Sequence, residues 1–105
     1  MAQFFHHNDF GYAARCPRTM HLHVCFGNVA LAATAPEFQE FRATINAVYR
    51  HHQQHATDPD ARCIAVRTPA HKMALVFNLT ELTQLQEILE NTSLLLEVEE
   101  LLGSE

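Results

Sequence analysis

The residues best suited to chemistry lie in the string His21-Leu22-His23-Val24-Cys25. Its strict alternation has the two-residue period of a β-strand. His21, His23 and Cys25 therefore fall on one face at steps of roughly 6 to 7 Å, and Leu22, Val24 and Phe26 fall on the other. Imidazole nitrogen and thiolate sulfur bind zinc at about 2.0 to 2.3 Å, so two neighbours along such a strand can share one ion while a third ligand comes from elsewhere in the chain. Cys16 and His71 are the candidates for that position. The same pattern also fits a strand whose solvent face is simply polar.

Other constellations are weaker. In Arg50-His51-His52-Gln53-Gln54-His55, His51 and His55 are neighbours on one helix face. His52 stands where a His-Glu-x-x-His metalloprotease carries its glutamate base, and cationic histidines are favoured at a helix C-terminus by the macrodipole alone. His6 and His7 read as part of a polar terminal segment. Ser93 and Ser104 are the only serines, and neither is flanked by the glycines of a nucleophile elbow. Cys25 beside His23 is the sole nucleophile candidate, although cysteine more often serves as a small hydrophobe. With glycine only at Gly11, Gly27 and Gly103, no loop can cradle a phosphate. The reading leans away from an enzyme.

The elements that must position these residues follow from periodicity. Met20 to Phe26 is a half-buried strand, Gly27-Asn28 a tight turn, and Val29 to Ala33 the returning strand of a hairpin. Thr34-Ala35-Pro36-Glu37 has the form of a capping box, and Phe38, Phe41, Ile45, Val48 and Tyr49 follow at helical spacing up to about His55. Ala56 to Ala61 is rich in breakers and reads as a linker. The same grammar then returns: strand Arg62–Arg67, a turn at Thr68-Pro69-Ala70-His71, strand Lys72–Phe77, and a second cap at Asn78-Leu79-Thr80-Glu81. A stripe of Leu82, Leu85, Leu89, Thr92 and Leu96 follows it.

One constant offset aligns Leu31 with Leu75, Thr34 with Asn78, Glu37 with Glu81, Phe38 with Leu82 and Phe41 with Leu85, which points to internal duplication. The expected architecture is a single α+β domain over residues 1–105. An N-terminal strand or hairpin segment occupies 1–19, a β-β-α unit 20–55, a linker 56–61 and a second β-β-α unit 62–105. The two units form a four-stranded or larger antiparallel sheet with both helices on one face.

Two surfaces call for a cover. The sheet face opposite the expected core carries Ala30, Ala32, Cys63, Ala65, Ala74 and Val76, small and mostly apolar where an open face usually carries charged residues or threonine. The N-terminal aromatics Phe4, Phe5, Phe10 and Tyr12, or a second subunit, are the expected covers. The C-terminal run Leu94, Leu95, Leu96, Val98, Leu101 and Leu102 puts apolar groups around more than one helix face. Either that helix is sandwiched within the domain or it meets a partner; Leu95, Val98 and Leu102, with Ala30 and Ala32 on the sheet, are the candidate interface residues.

Composition narrows the class. At 105 residues and 48% hydrophobic, the chain fits one folded domain. A net charge of −5 with seven scattered Lys and Arg residues argues against nucleic acid. No apolar run reaches the roughly 18 residues of a membrane span, and no signal sequence is expected. Three irregularly spaced cysteines fit a reducing, cytoplasmic setting, and eight histidines are the one excess that asks for a function.

His21 to Val29, HLHVCFGNV, resembles the core motif of a family of small uncharacterised bacterial proteins with a Cys-x-x-Cys followed by a strand and Phe-Gly-Asn-Val or Phe-Gly-Asn-Ile. The first cysteine of that pattern falls on Cys16 and the second on Thr19, so this chain departs from it there. The resemblance implies a small bacterial domain and supplies no activity. From the residues, the leading expectation is a non-enzymatic protein that binds a transition metal, zinc first, through His21, His23 and Cys25 with Cys16 or His71. The alternative is a homodimer or adaptor that binds protein without metal.

Overall fold

The computed structural model describes residues 2–55, 58–68 and 72–103. Four antiparallel strands run as a meander, β1 (Gln3–His7), β2 (Gly11–Arg15), β3 (Leu22–Phe26) and β4 (Val29–Ala33), and pair in that order. Helix α1 (Ala35–His55) follows, then a separate two-stranded sheet, β5 (Ile64–Arg67) and β6 (Ala74–Phe77), and finally α2 (Leu79–Gly103). The fold is α+β, as expected, and the β-β-α order occurs twice.

The strands of the four-stranded sheet are not those the repeated pattern suggests. The N-terminal hairpin hydrogen-bonds to β3 through Gly11↔Phe26 to Arg15↔Leu22, while β5 and β6 pair only with each other among the described residues. Strands contiguous in sequence and joined by short turns pair most readily, and here both β3 edges are taken by its sequence neighbours β2 and β4. Local devices fix the meander. The Asn8 side-chain oxygen accepts the amides of Phe10 and Gly11, and the Phe10 carbonyl accepts the Gly27 amide at 3.0 Å. At Gly11 a Cβ would stand 1.9 Å from the Cys25 carbonyl oxygen, so no other residue fits that register without moving the strand. Gly27 takes a φ of 53° in the β3–β4 turn.

Both expected capping boxes form. Glu37 accepts the Thr34 amide at 2.8 Å while the Thr34 hydroxyl accepts the Glu37 amide, and Glu81 and Asn78 exchange the equivalent pair at 2.9 and 2.6 Å. One core unites the two sheets. Leu22, Val24 and Phe26 of β3 meet Phe38 and Ile45 of α1, Ile64 and Val66 of β5, Phe77 of β6, and Leu82, Leu85, Ile88 and Leu89 of α2. The Phe26 ring lies 5.8 to 6.3 Å from Phe10, Phe77 and Phe41, and so joins the hairpin loop, the second sheet and α1. Met73, expected to share a face with Leu75 and Phe77, lies before β6 and is exposed.

α2 has 25 residues and therefore spans about 37 Å. That length matches the elongated shape, 47 × 27 × 23 Å. It packs on β1, β2, β6 and α1. Among the described residues, no helix is long and apolar enough to cross a membrane.

Candidate functional site

Strand β3 places its residues as its alternation requires. Leu22, Val24 and Phe26 are buried; His23 and Cys25 are half-buried on the opposite, outer face, with His21 exposed just ahead of the strand. Their neighbours across the sheet are poor ligands. His23 lies between Ala14 and Ala32, and Cys25 between Tyr12 and Ala30. Among the described residues no three His, Cys, Asp or Glu side chains gather where they could hold a metal ion. His71 lies outside the described residues, as does the Thr68–His71 turn beyond Thr68.

Two of the expected ligands border a common cavity. After β2 the chain turns through Cys16-Pro17-Arg18-Thr19, with the Cys16 amide donating to the His21 carbonyl at 3.0 Å and the Met20 amide donating to the Cys16 carbonyl at 2.8 Å. Met20 closes the turn at a φ of 63°. Cys16 and His23 then line one open cavity of about 350 Å³ with Phe4, Tyr12, Ala14 and Arg18. The Thr19 hydroxyl, aided by the amides of Thr19 and Arg18, holds the Cys16 thiol below its usual range against the smaller opposing effect of burial. Thr19 is thus the residue that does most to favour the Cys16 thiolate. On the neighbouring pair, the Cys25 thiol pushes the Tyr12 phenol up.

In the second histidine group, the His51 and His52 rings stand perpendicular, edge to face, with centroids 5.0 Å apart. The His55 side chain lies outside the described residues. His6 has a structural partner, the Glu87 carboxylate of α2 at 2.7 Å.

The outer sheet face is open. Ala30 and Ala32 are exposed, and Phe4 and Tyr12, their rings 5.5 Å apart, form part of this face instead of covering it. Phe5 and Phe10 pack against the core on the other side. The expected cover by the N-terminal aromatics is therefore corrected: the hairpin spends its hydrogen bonds on the β3 edge and extends the sheet laterally.

Five of the exposed large apolar side chains among the described residues lie on α2. Leu82, Leu85, Ile88 and Leu89 are buried, whereas Leu94, Leu95, Val98 and Leu102 are 57, 43, 43 and 72% exposed and Leu101 is exposed as well. α2 is thus not sandwiched at this end. Leu96 is half-buried and, with Glu97 and Glu100, lines an open cleft of about 670 Å³ against Pro36 and Gln39 of α1.

The four ion pairs among the described residues all take their carboxylate from α2: Glu81 with Arg62, Glu87 with His6, Glu90 with Arg42 and Glu99 with Arg15. Arg62 holds Glu81 below the usual carboxylate range; His6 and Asn8 do so for Glu87, and Arg15 for Glu99. Burial pushes Glu90 up, but the Asn46 amide and the Arg42 guanidinium together outweigh it. Sequence reasoning missed this arrangement, although a signal was present: α2 carries six glutamates and no Lys or Arg, so every cation lies elsewhere in the chain.

Fold and site together define a small α+β domain whose described residues gather no group of three His, Cys, Asp or Glu that could hold a metal and whose last helix ends in an exposed apolar stripe. The chain belongs to a family of unknown function, DUF6686, which it matches over residues 1–102. No curated protein and no solved structure matches it.

Proposed function

We propose that this protein is a non-enzymatic protein-interaction module that docks a partner on the C-terminal half of α2. The observation that supports this reading is the exposure of Leu94, Leu95, Val98 and Leu102 on one stretch of one helix. Large apolar side chains scattered singly over a surface are ordinary, whereas a contiguous group marks a contact. Ala30 and Ala32, on the outer side of the sheet, belong to a separate surface.

The test is affinity capture of the wild-type chain and of a Leu95→Glu/Leu102→Glu variant, side by side, with circular dichroism to establish that both are folded. Proteins retained by the wild type and lost from the variant are the expected result. Identical captures from the two would contradict the proposal.

Zinc binding is the second reading, and what favours it is the cavity that Cys16 and His23 share. It needs further ligands from His71 or from another molecule. Untagged protein prepared without chelator should then carry one metal ion per chain that is lost on Cys16→Ala or His23→Ala. A metal-free protein whose thermal stability added zinc does not raise would count against it.

A further inference from the structure

We infer, independently of the α2 stripe, that β4 is a self-docking edge: the β4 strand of a second copy pairs with it antiparallel, centred on Leu31, and one sheet runs through both chains. The Cys16 amide donates to the His21 carbonyl, so His21, His23 and Cys25 turn their backbone groups to β2, and Leu22, Val24 and Phe26 turn theirs to β4. Their partners Ala33, Leu31 and Val29 are thereby satisfied, and the amides and carbonyls of Ala30 and Ala32 face outward. These four groups have no partner among the described residues, and both alanines are exposed. Natural sheets guard an open edge with charge, proline, a bulge or a very short strand. β1 has a bulge between Phe4 and His6, and β5 and β6 have four residues each. β4, Val-Ala-Leu-Ala-Ala, is a regular five-residue strand with none of these devices.

Three features fit a second copy to this edge. β4 is already held extended, so it offers its hydrogen-bonding groups without the ordering cost that an unstructured peptide meets. Pairing about Leu31 sets Ala30 opposite the second copy's Ala32, and each such pair exchanges two hydrogen bonds. The second copy's Val29, Leu31 and Ala33 then lie on the helix side, over the open cavity of about 780 Å³ that Leu31, Ala33 and Phe41 border, and only alanines meet on the outer side. Charge permits the approach. β4 carries none, and the antiparallel register sets the two Ala33 ends, from which α1 starts with Glu37 and Glu40, roughly 14 Å apart along the strands, beyond the screening length of about 8 Å at physiological salt. Because both chains use the same edge, the contact closes as a dimer. A single strand pair is a small interface, so the dimer is weak and gives way to the bare chain on dilution.

The test is NMR of the full chain between about 10 μM and about 1 mM, a range that brackets weak association. Translational diffusion should slow toward that of a dimer as concentration rises. The Ala30 and Ala32 amides should exchange with solvent about threefold or more slowly at the top of the range than at the bottom. Ala30→Lys/Ala32→Lys and Ala30→Glu/Ala32→Glu should each remain monomeric, because like charges then lie directly opposite, and mixing the two should restore a dimer. Leu95→Glu/Leu102→Glu should leave self-association unchanged. A chain still monomeric at the top of the range, a dimer whose Ala30 and Ala32 amides exchange as fast as in the monomer, or a dimer that Leu95→Glu/Leu102→Glu dissolves overturns the inference. The amide measurement needs no substitution, so it decides even where a charged variant fails to fold.

Discussion

The two halves of α2 are built from the same residue type and end in opposite environments. Between Leu79 and Thr92 the apolar positions repeat at three and four, and each finds a wall of strand or helix; between Ser93 and Gly103 leucine is denser, yet five large apolar side chains there are 43 to 72% exposed. The difference lies in what surrounds the helix. α2 packs on β1, β2, β6 and α1, and its second half is held to them by the half-buried Leu96, by hydrogen bonds from Gln3 to Glu99 and from Gln39 to Ser93, and by the Glu99–Arg15 pair at 2.6 Å, with Arg15 also lying over the Phe5 ring. Hydrophobicity fixed that the residues would seek cover; only those on the helix face turned to these neighbours, Leu96 in the second half, found it.

The comparison breaks if truncation costs the same in both halves. Leu85→Ala should lose about 2 to 5 kcal/mol in urea unfolding, because it opens a cavity in a fully buried site. Thr92→Val should move the other way. Thr92 is fully buried and its hydroxyl has no hydrogen-bond partner among the described residues, so a methyl in its place should gain about 1 kcal/mol. Leu102→Ala should change stability by less than about 0.5 kcal/mol while weakening any partner.

The ion pairs that hold α2 to the rest of the domain sharpen the same contrast. Pairs this exposed contribute roughly 0.2 to 1 kcal/mol each. Because the carboxyls of Glu90 and Glu99 titrate lower in the folded chain than in the unfolded one, their contribution is present above the ordinary glutamate range near about 4.3 and is lost as pH falls through the lowered folded values. Glu90→Gln should therefore be less stable than wild type near neutral pH and approach it in acid. A gap unchanged across that range would contradict the pairing.

Elements written in local periodicity were legible in the sequence. The β3 alternation, both capping boxes and the buried positions Leu82, Leu85 and Leu89 are each set by neighbours a few residues away. Sheet membership was less legible, because β3 has two edges and only the competition between the N-terminal hairpin and β5–β6 decides which strand takes the second. The metal expectation shows the same limit. Alternation put His23 and Cys25 on one face, but a site needs converging ligands, and the facing residues are Ala14, Ala32, Tyr12 and Ala30. The Cys16–Thr19 contact depends on a turn closed at Met20, which no periodicity announces. It predicts that Cys16 reacts with iodoacetamide at lower pH than an ordinary thiol, and that Thr19→Val shifts its rate profile upward in pH.

Native mass spectrometry of untagged protein isolated gently from its own cells tests the central claim most directly, because it reports every bound partner at once. A complex heavier than one chain, reduced to the bare chain by Leu95→Glu/Leu102→Glu without loss of fold, is the predicted result. A bare chain in both samples, or a complex that the substitutions leave intact, would contradict it.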